Sequence, residues 1–283
     1  MNFTKMHGAG NDYIYVDART DDRDWYSLAR AVSDRHTGIG ADGLIILLPS
    51  NAADLRMRMF NADGSEAEMC GNGIRCFVRF ALEEKAIGSA LEVVKVETAV
   101  GVLSVTPIWE GGRMTRASVD MGSPRLRPAD VPMALAGDGP IKDYALTLSD
   151  TSNDTRVEVT AVSMGNPHAV AFLQQDVAEF PLHEIGPQVE VHPMFAKRVN
   201  FEIVNVIDPG HVKVRVWERG SGLTMACGTG ACAVAVIGRL KRLTGDNVKV
   251  SLPGGDLSIS WPGSGEVIME GPVEEVFEGE WRD

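Results

Sequence analysis

Two cysteines in this chain recur in the same company. Cys70 lies in Met69-Cys70-Gly71-Asn72-Gly73-Ile74-Arg75-Cys76, and Cys227 in Ala226-Cys227-Gly228-Thr229-Gly230-Ala231-Cys232. Asn61 stands nine residues before the first and Glu218 nine before the second, with Gly64-Ser65 or Gly220-Ser221 between. The match reaches further, since Asn11 precedes Cys70 by 59 positions and Asn166 precedes Cys227 by 61. Thiols at matched points of a repeat can act as a pair. One, as thiolate, removes a proton from a stereogenic carbon, and the other, as thiol, delivers one to the opposite face, so the configuration inverts. Each cysteine sits in a glycine-flexed turn at the start of a helix-compatible segment. The free N–H groups and dipole there favour an anion, which predicts a thiol pKa below the free value of about 8.5 and donors for a bound carboxylate.

Other chemistries fit the residues less well. Cys70 to Cys76 and Cys227 to Cys232 are not the usual zinc-ligand gaps, and no paired His spacing accompanies them. Cys-Xaa-Xaa-Cys and Gly-Xaa-Ser-Xaa-Gly are absent, and Gly38-Ile39-Gly40-Ala41-Asp42-Gly43 has the wrong glycine spacing for a nucleotide loop. No lysine signature for pyridoxal phosphate stands out, so no cofactor and no metal are expected. Cys76 and Cys232 suit small apolar positions within helical stripes. His168, by default a structural histidine, follows Asn166-Pro167 in the counterpart of the Asn11 loop, which favours an active-site role. Asn61, Asn166 and Asn200 could be turn residues, and Glu218-Arg219 an exposed ion pair worth little. Their recurrence beside the cysteine motifs argues for ligands to a substrate. Arg56, Arg58 and Arg215 alternate away from apolar strand faces and read as solvated.

The elements that must position these residues follow from periodicity. Leu55, Met57 and Met59 share one strand face, as do Val212, Val214 and Val216. Ile74, Phe77, Val78, Ala81 and Leu82 recur at helical intervals after Cys70, and the apolar segment after Cys227 reads as a buried helix. Strands are expected near 14–16, 44–48, 91–97, 101–107 and 115–121, then at 157–162, 200–206 and 211–218, with a strand-rich tail. Helices are expected over 25–32 and 180–185. The 132–154 stretch, rich in Gly, Pro and Asp, reads as a surface excursion. A length of 283 residues accommodates two ordinary domains. The repeat divides them as 1–124, completed by 270–283, and 125–269. A net charge of −12 argues against nucleic acid and anionic membrane as partners. The amino terminus shows no apolar signal region, no run is long enough to span a bilayer, and four cysteines suit a reducing, cytoplasmic setting.

Taken together, the two cysteine motifs, His7-Gly8-Ala9-Gly10-Asn11-Asp12, the 38–43 loop, Met164-Gly165-Asn166-Pro167-His168 and Val216-Trp217-Glu218-Arg219-Gly220 closely resemble the diaminopimelate epimerase family. The resemblance spans nearly the whole chain. It implies a cofactor-independent isomerase that interconverts LL- and meso-2,6-diaminoheptanedioate in lysine and peptidoglycan precursor synthesis in the cytoplasm. It implies an α/β (α+β) fold of two pseudo-symmetric domains, each a central helix wrapped by a mainly antiparallel sheet, and a homodimer. By position, Cys70 and Cys227 are then the acid/base pair. Gly71, Asn72, Gly228 and Thr229 donate to the reacting carboxylate, and Asn11, Asn61, Asn166, Asn200, Glu218 and Arg219 hold the rest of the substrate. His168 and Glu218 tune the thiols. Gly43 departs from members that carry a substrate-contacting Gln. The nearest alternative is a proline racemase or hydroxyproline epimerase, and from another class, a non-catalytic thiol-redox binding module.

Overall fold

The structure, a computed structural model, describes residues 1–67, 69–148 and 155–282. Two units are distinguished: Met1–Asp120 with Glu270–Asp283, and Met121–Met269.

In the first unit, β1 (Asn2–Gly8) and β2 (Asn11–Asp17) form a hairpin, and α1 (Trp25–Ser33) leads to β3 (Gly43–Leu48) and β4 (Leu55–Asn61). A short β5 (Glu66–Ala67), α2 (Gly71–Glu83), β6 (Val94–Thr98), β7 (Gly101–Glu110) and β8 (Arg113–Asp120) follow. Pairing runs β1–β2 antiparallel, β2–β3 parallel, β3–β4 antiparallel, β4–β6 parallel and β6–β7 antiparallel. α1 begins at Asp24, whose carboxylate accepts from the Ser27 N–H, and it buries Trp25, Leu28, Ala29 and Val32 on one face.

The second unit repeats this plan. Its strands are β9 (Ile141–Leu148), β10 (Thr155–Ser163), β11 (Pro167–Phe172), β12 (Asn200–Asp208), β13 (His211–Glu218), β14 (Gly222–Leu223), β15 (Asn247–Leu252), β16 (Gly255–Ser260) and β17 (Ile268–Pro272), the last running across the boundary. Helix α3 (Leu182–Glu190) precedes β12, and α4 (Gly228–Leu240) follows β14. From β10 to β16 the order and sense match the first unit: antiparallel, parallel, antiparallel, parallel, antiparallel. β18 (Glu274–Glu280) lies antiparallel to β1 in the first unit. β9 holds the equivalent place beside β10.

In each unit one helix is buried on every side. α2 packs against β1, β2, β3, β7 and β8, and α4 against β10, β11, β12, β15 and β16. Ile74, Phe77 and Val78 are fully buried, each contributing on the order of 1.5–3 kcal/mol. So are Val234, Val236 and Ile237. The architecture is α/β, each unit a helix enclosed by a mostly antiparallel sheet. Such enclosure forces polar residues of α2 inside. Arg79 is buried, pairing with Glu83 and Glu275 and donating to the Val273 carbonyl.

Two sequence expectations fail. The 132–154 stretch is not a surface excursion over its described part, 132–148, since Met133, Ile141, Leu146 and Leu148 enter the second unit's core and β9 extends its sheet. Residues 149–154 lie outside the described residues. Arg58 and Arg215 are not simply solvated. Arg58 pairs with Glu66 over the Phe60 ring, and Arg215 ties the carbonyls of Val177 and Phe180 to β13. Arg56 is exposed, as expected.

Candidate active site

Each repeated cysteine caps an enclosed helix. Cys70 precedes α2 with φ −131° and ψ 118°, and Cys227 precedes α4 with φ −119° and ψ 113°. The glycines around them do not flex the backbone, because Gly71, Gly73, Gly228 and Gly230 all lie inside the helices. At the third helical position they make room. A Cβ on Gly73 would lie 2.7 Å from Ile45 Cδ1, and one on Gly230 would lie 2.8 Å from Glu202 Oε1. The glycines that do need a left-handed backbone are those of the Gly-Ser turns, Gly64 at φ 89° and Gly220 at φ 80°.

In the first unit, Cys70 Sγ donates to Asn11 Oδ1 at 3.1 Å and accepts from the Gly73 N–H at 3.3 Å. Asn11 is oriented in turn, since its Nδ2 donates to Asp42 Oδ2 at 2.6 Å. Arg35 clamps Asp42 (2.9 Å) and Asp12 (2.7 Å), and Lys5 pairs with Asp12 at 2.9 Å. Asn72 is buried, its Oδ1 accepting from the enclosed Arg75 at 3.0 Å. Asn61 Nδ2 donates to Ser65 Oγ at 3.0 Å. Register sets Tyr13, Gly43 and Asn61 side by side on three adjacent strands. Burial, then the neighbouring Cys70, holds the Tyr13 phenol well above its usual range. Gly43 is dictated by packing, for a Cβ there would lie 2.2 Å from the Phe60 carbonyl oxygen and 3.2 Å from the Tyr13 ring.

The second unit sets His168 beside Asn200, with Glu218 at the end of the next strand. By equivalent pairing, His168 corresponds to Tyr13, Asn200 to Gly43, Glu218 to Asn61 and Glu202 to Ile45. His168 is fully enclosed, with Nδ1 2.7 Å from Glu202 Oε1 and Nε2 2.9 Å from Asn166 Oδ1. Asn166 Nδ2 donates to Thr229 Oγ1 at 3.2 Å, and Thr229 Oγ1 lies 3.5 Å from Cys227 Sγ. Asn200 works as a brace, donating to the Pro167 carbonyl at 2.9 Å and accepting from the Arg219 N–H at 2.9 Å. Glu218 and Arg219 are engaged separately. Glu218 accepts from the Thr224 hydroxyl at 2.5 Å, and the Arg219 guanidinium donates to the Lys197 carbonyl at 3.1 Å. Glu190 fixes this corner, accepting from Trp217 Nε1 and the Gly220 N–H.

The expected lowering of the thiol pKa does not hold at Cys227. Burial pushes this thiol well above the ordinary range, and the carboxylates of Glu218 and Glu202 push it further. The Thr229 hydroxyl and the Gly230 N–H pull the other way without prevailing. Glu218 is itself held above the usual carboxylate range by burial, against the hydrogen bonds from Thr224 and Cys227. Sequence reasoning missed Tyr13, Asp42 and Glu202. The signal for Glu202 was a lone carboxylate within Phe201-Glu202-Ile203-Val204, a run buried throughout.

Among the described residues, no cluster of three or more His, Cys, Asp or Glu is disposed to hold a metal ion, and no helix is long and apolar enough to cross a membrane. The family profile described as diaminopimelate epimerase matches residues 3–127 and 160–276. The diaminopimelate epimerase of Pelotomaculum thermopropionicum is 48% identical over 284 residues, covering 99% of each chain. That of Desulforudis audaxviator is 51% identical over 284 residues, again covering 99% of each. Among solved structures, a probable proline racemase from Agrobacterium radiobacter K84 superposes with a TM-score of 0.73 at 16% identity, over 99% of this chain and 92% of that one, which speaks for the fold alone. With a family profile over most of its length and relatives near half identity from end to end, the chain belongs to the diaminopimelate epimerase family, isomerases acting on amino acids.

Proposed function

We propose that the protein interconverts LL- and meso-2,6-diaminoheptanedioate with two cysteines, Cys70 and Cys227, one taking the α-proton and the other delivering a different proton to the opposite face. The observation that carries this reading is the duplicated N-cap: each unit presents a cysteine at the first turn of an enclosed helix. A thiolate takes the α-proton, so a C–H bond breaks and an S–H bond forms. The electron pair left on carbon spreads into the attached carboxylate, where helix-terminal N–H groups offset the charge. The opposing thiol gives its proton to the other face of the carbon, and its sulfur becomes the thiolate. The high proton affinity of Cys227 suits it to begin as the acid.

In this reading Gly71, Asn72, Gly228 and Thr229 surround the reacting carboxylate. Asn11, Asn61, Asn166, Asn200, Glu218 and Arg219 hold the distal amino acid end, and His168 and Glu218 tune the thiols. Asn200 also ties the start of β12 to the Pro167 carbonyl, and Asn72 also accepts from Arg75 within α2. No side chain at Gly43 contributes. Cofactor-free catalysis, a cytoplasmic place in lysine and peptidoglycan precursor synthesis, and a homodimer belong to the same proposal. The test is isomerisation of LL-diaminopimelate set against L-proline and 4-hydroxyproline, with no cofactor added. Turnover of diaminopimelate alone is expected, and turnover of proline alone would overturn the substrate assignment.

A further inference from the structure

The two half-sites share a plan but differ beneath the third residue of each enclosed helix. Under Gly73 sits Ile45, and under Gly230, at the equivalent strand position, sits the carboxylate of Glu202. A carboxylate with no exposed surface is costly unless it is compensated. Here two things compensate it. The first turn of α4 brings the positive end of its dipole, and His168 Nδ1 lies 2.7 Å from Oε1, within the range of charge-assisted bonds. Oε2 is buried without a hydrogen-bond partner among the described residues, so His168 is the side chain that hydrogen-bonds this carboxylate.

From His168 the contacts run on without a break. Nδ1 faces a carboxylate and Nε2 faces the Asn166 carbonyl oxygen, both of them acceptors. A ring between two acceptors satisfies both only by donating from both nitrogens. That donation fixes the Asn166 amide with Oδ1 toward the histidine and Nδ2 toward Thr229. Thr229 Oγ1 accepts from Asn166, so its own hydrogen is left for Cys227 Sγ at 3.5 Å.

We propose that Glu202 is a positioning residue of the Cys227 half-site. It holds His168 as a two-donor ring, which orients the Asn166 amide and thereby aims the Thr229 hydroxyl hydrogen at the Cys227 sulfur. The inference rests on the proposed thiol chemistry for its catalytic consequence, but not for its geometry. The Thr229 donor is worth most when Cys227 is a thiolate, the state it reaches after giving up its proton.

The test uses the intact protein labelled with ¹⁵N at histidine, with His168 identified among the six histidines by its loss in a His168→Gln variant. Near neutral pH, both His168 nitrogens are expected to show protonated, pyrrole-type shifts. In Glu202→Gln, one of them is expected to become pyridine-type, with kcat falling about ten- to a hundredfold and KM changing far less. Thr229→Val should reproduce the fall in kcat while leaving the His168 signature as in the unmodified protein. A bare nitrogen on His168 in the unmodified protein overturns the proposal, and so does a Glu202→Gln spectrum with both nitrogens unchanged. The unmodified spectrum decides the point even where a variant fails to fold. If the unmodified protein lacks epimerase turnover but shows the two-donor histidine, the functional reading fails and the positioning network stands.

Discussion

A serine hydroxyl keeps the shape of a cysteine thiol but does not titrate near neutral pH, so it isolates proton transfer from packing. Cys70→Ser and Cys227→Ser are each expected to slow epimerisation by about 10²–10⁴-fold, while substrate binding survives in part. Full turnover by either variant would remove that cysteine from the reaction. At this scale the sequence was most informative where a residue recurs. Cys70 with Cys227, and Asn11 with Asn166, could be found by spacing alone. Residues that act through a neighbour were illegible. Asp42 turns Asn11 toward Cys70, and Glu202 pairs with His168, and neither recurs in the other unit. The lowered thiol pKa expected from helix position alone failed at Cys227 for a related reason. A helix terminus is a modest local field, and burial, reinforced by two nearby carboxylates, outweighs it.

At the scale of elements, the strand patterns of β4 and β13 could be read directly from periodicity, and the buried character of α4 from its almost wholly apolar composition. α2 could not be read fully, because Arg75 and Arg79 suggest a solvated face although both are enclosed. β9 was hidden by turn-forming residues at its start. The departure at Gly43 has an element-level cause. Its Cβ would strike the backbone of β4, which cannot yield as a side chain can. Gly43→Ala is therefore expected to cost about 3 kcal/mol or more in a denaturant titration, and a variant as stable as the parent would contradict the packing. Within α2, burial raises Cys76 from 9.0 to about 11. The folded protein then holds this proton more tightly than the unfolded chain does. Its contribution is complete below pH 9 and disappears as pH rises through 11. Relative to Cys76→Ala, the parent should lose about 2–3 kcal/mol of stability across that interval, and parallel pH profiles would refute it.

On the scale of the whole molecule, duplication is the organising fact. Two units with the same strand order and sense each enclose one helix, and that helix carries a cysteine at its cap. A last strand returning to the first unit could be expected from the sequence, but its register on β1, which runs from Asn2 opposite Glu280 to His7 opposite Glu274, could not. Register depends on which faces are buried, and β18 is exposed along much of its length. Duplication also defines what the proposed chemistry must show. Two thiols serving opposite faces of one carbon exchange its proton with solvent only as the centre inverts. The decisive measurement is early turnover of LL-diaminopimelate in deuterium oxide, read by mass and NMR in substrate and product separately. Two opposed thiols predict deuterium at the inverted α-carbon of the meso product while unreacted LL substrate keeps its protium. Deuterium entering unreacted substrate as fast as inversion proceeds, or a product free of deuterium, would contradict them.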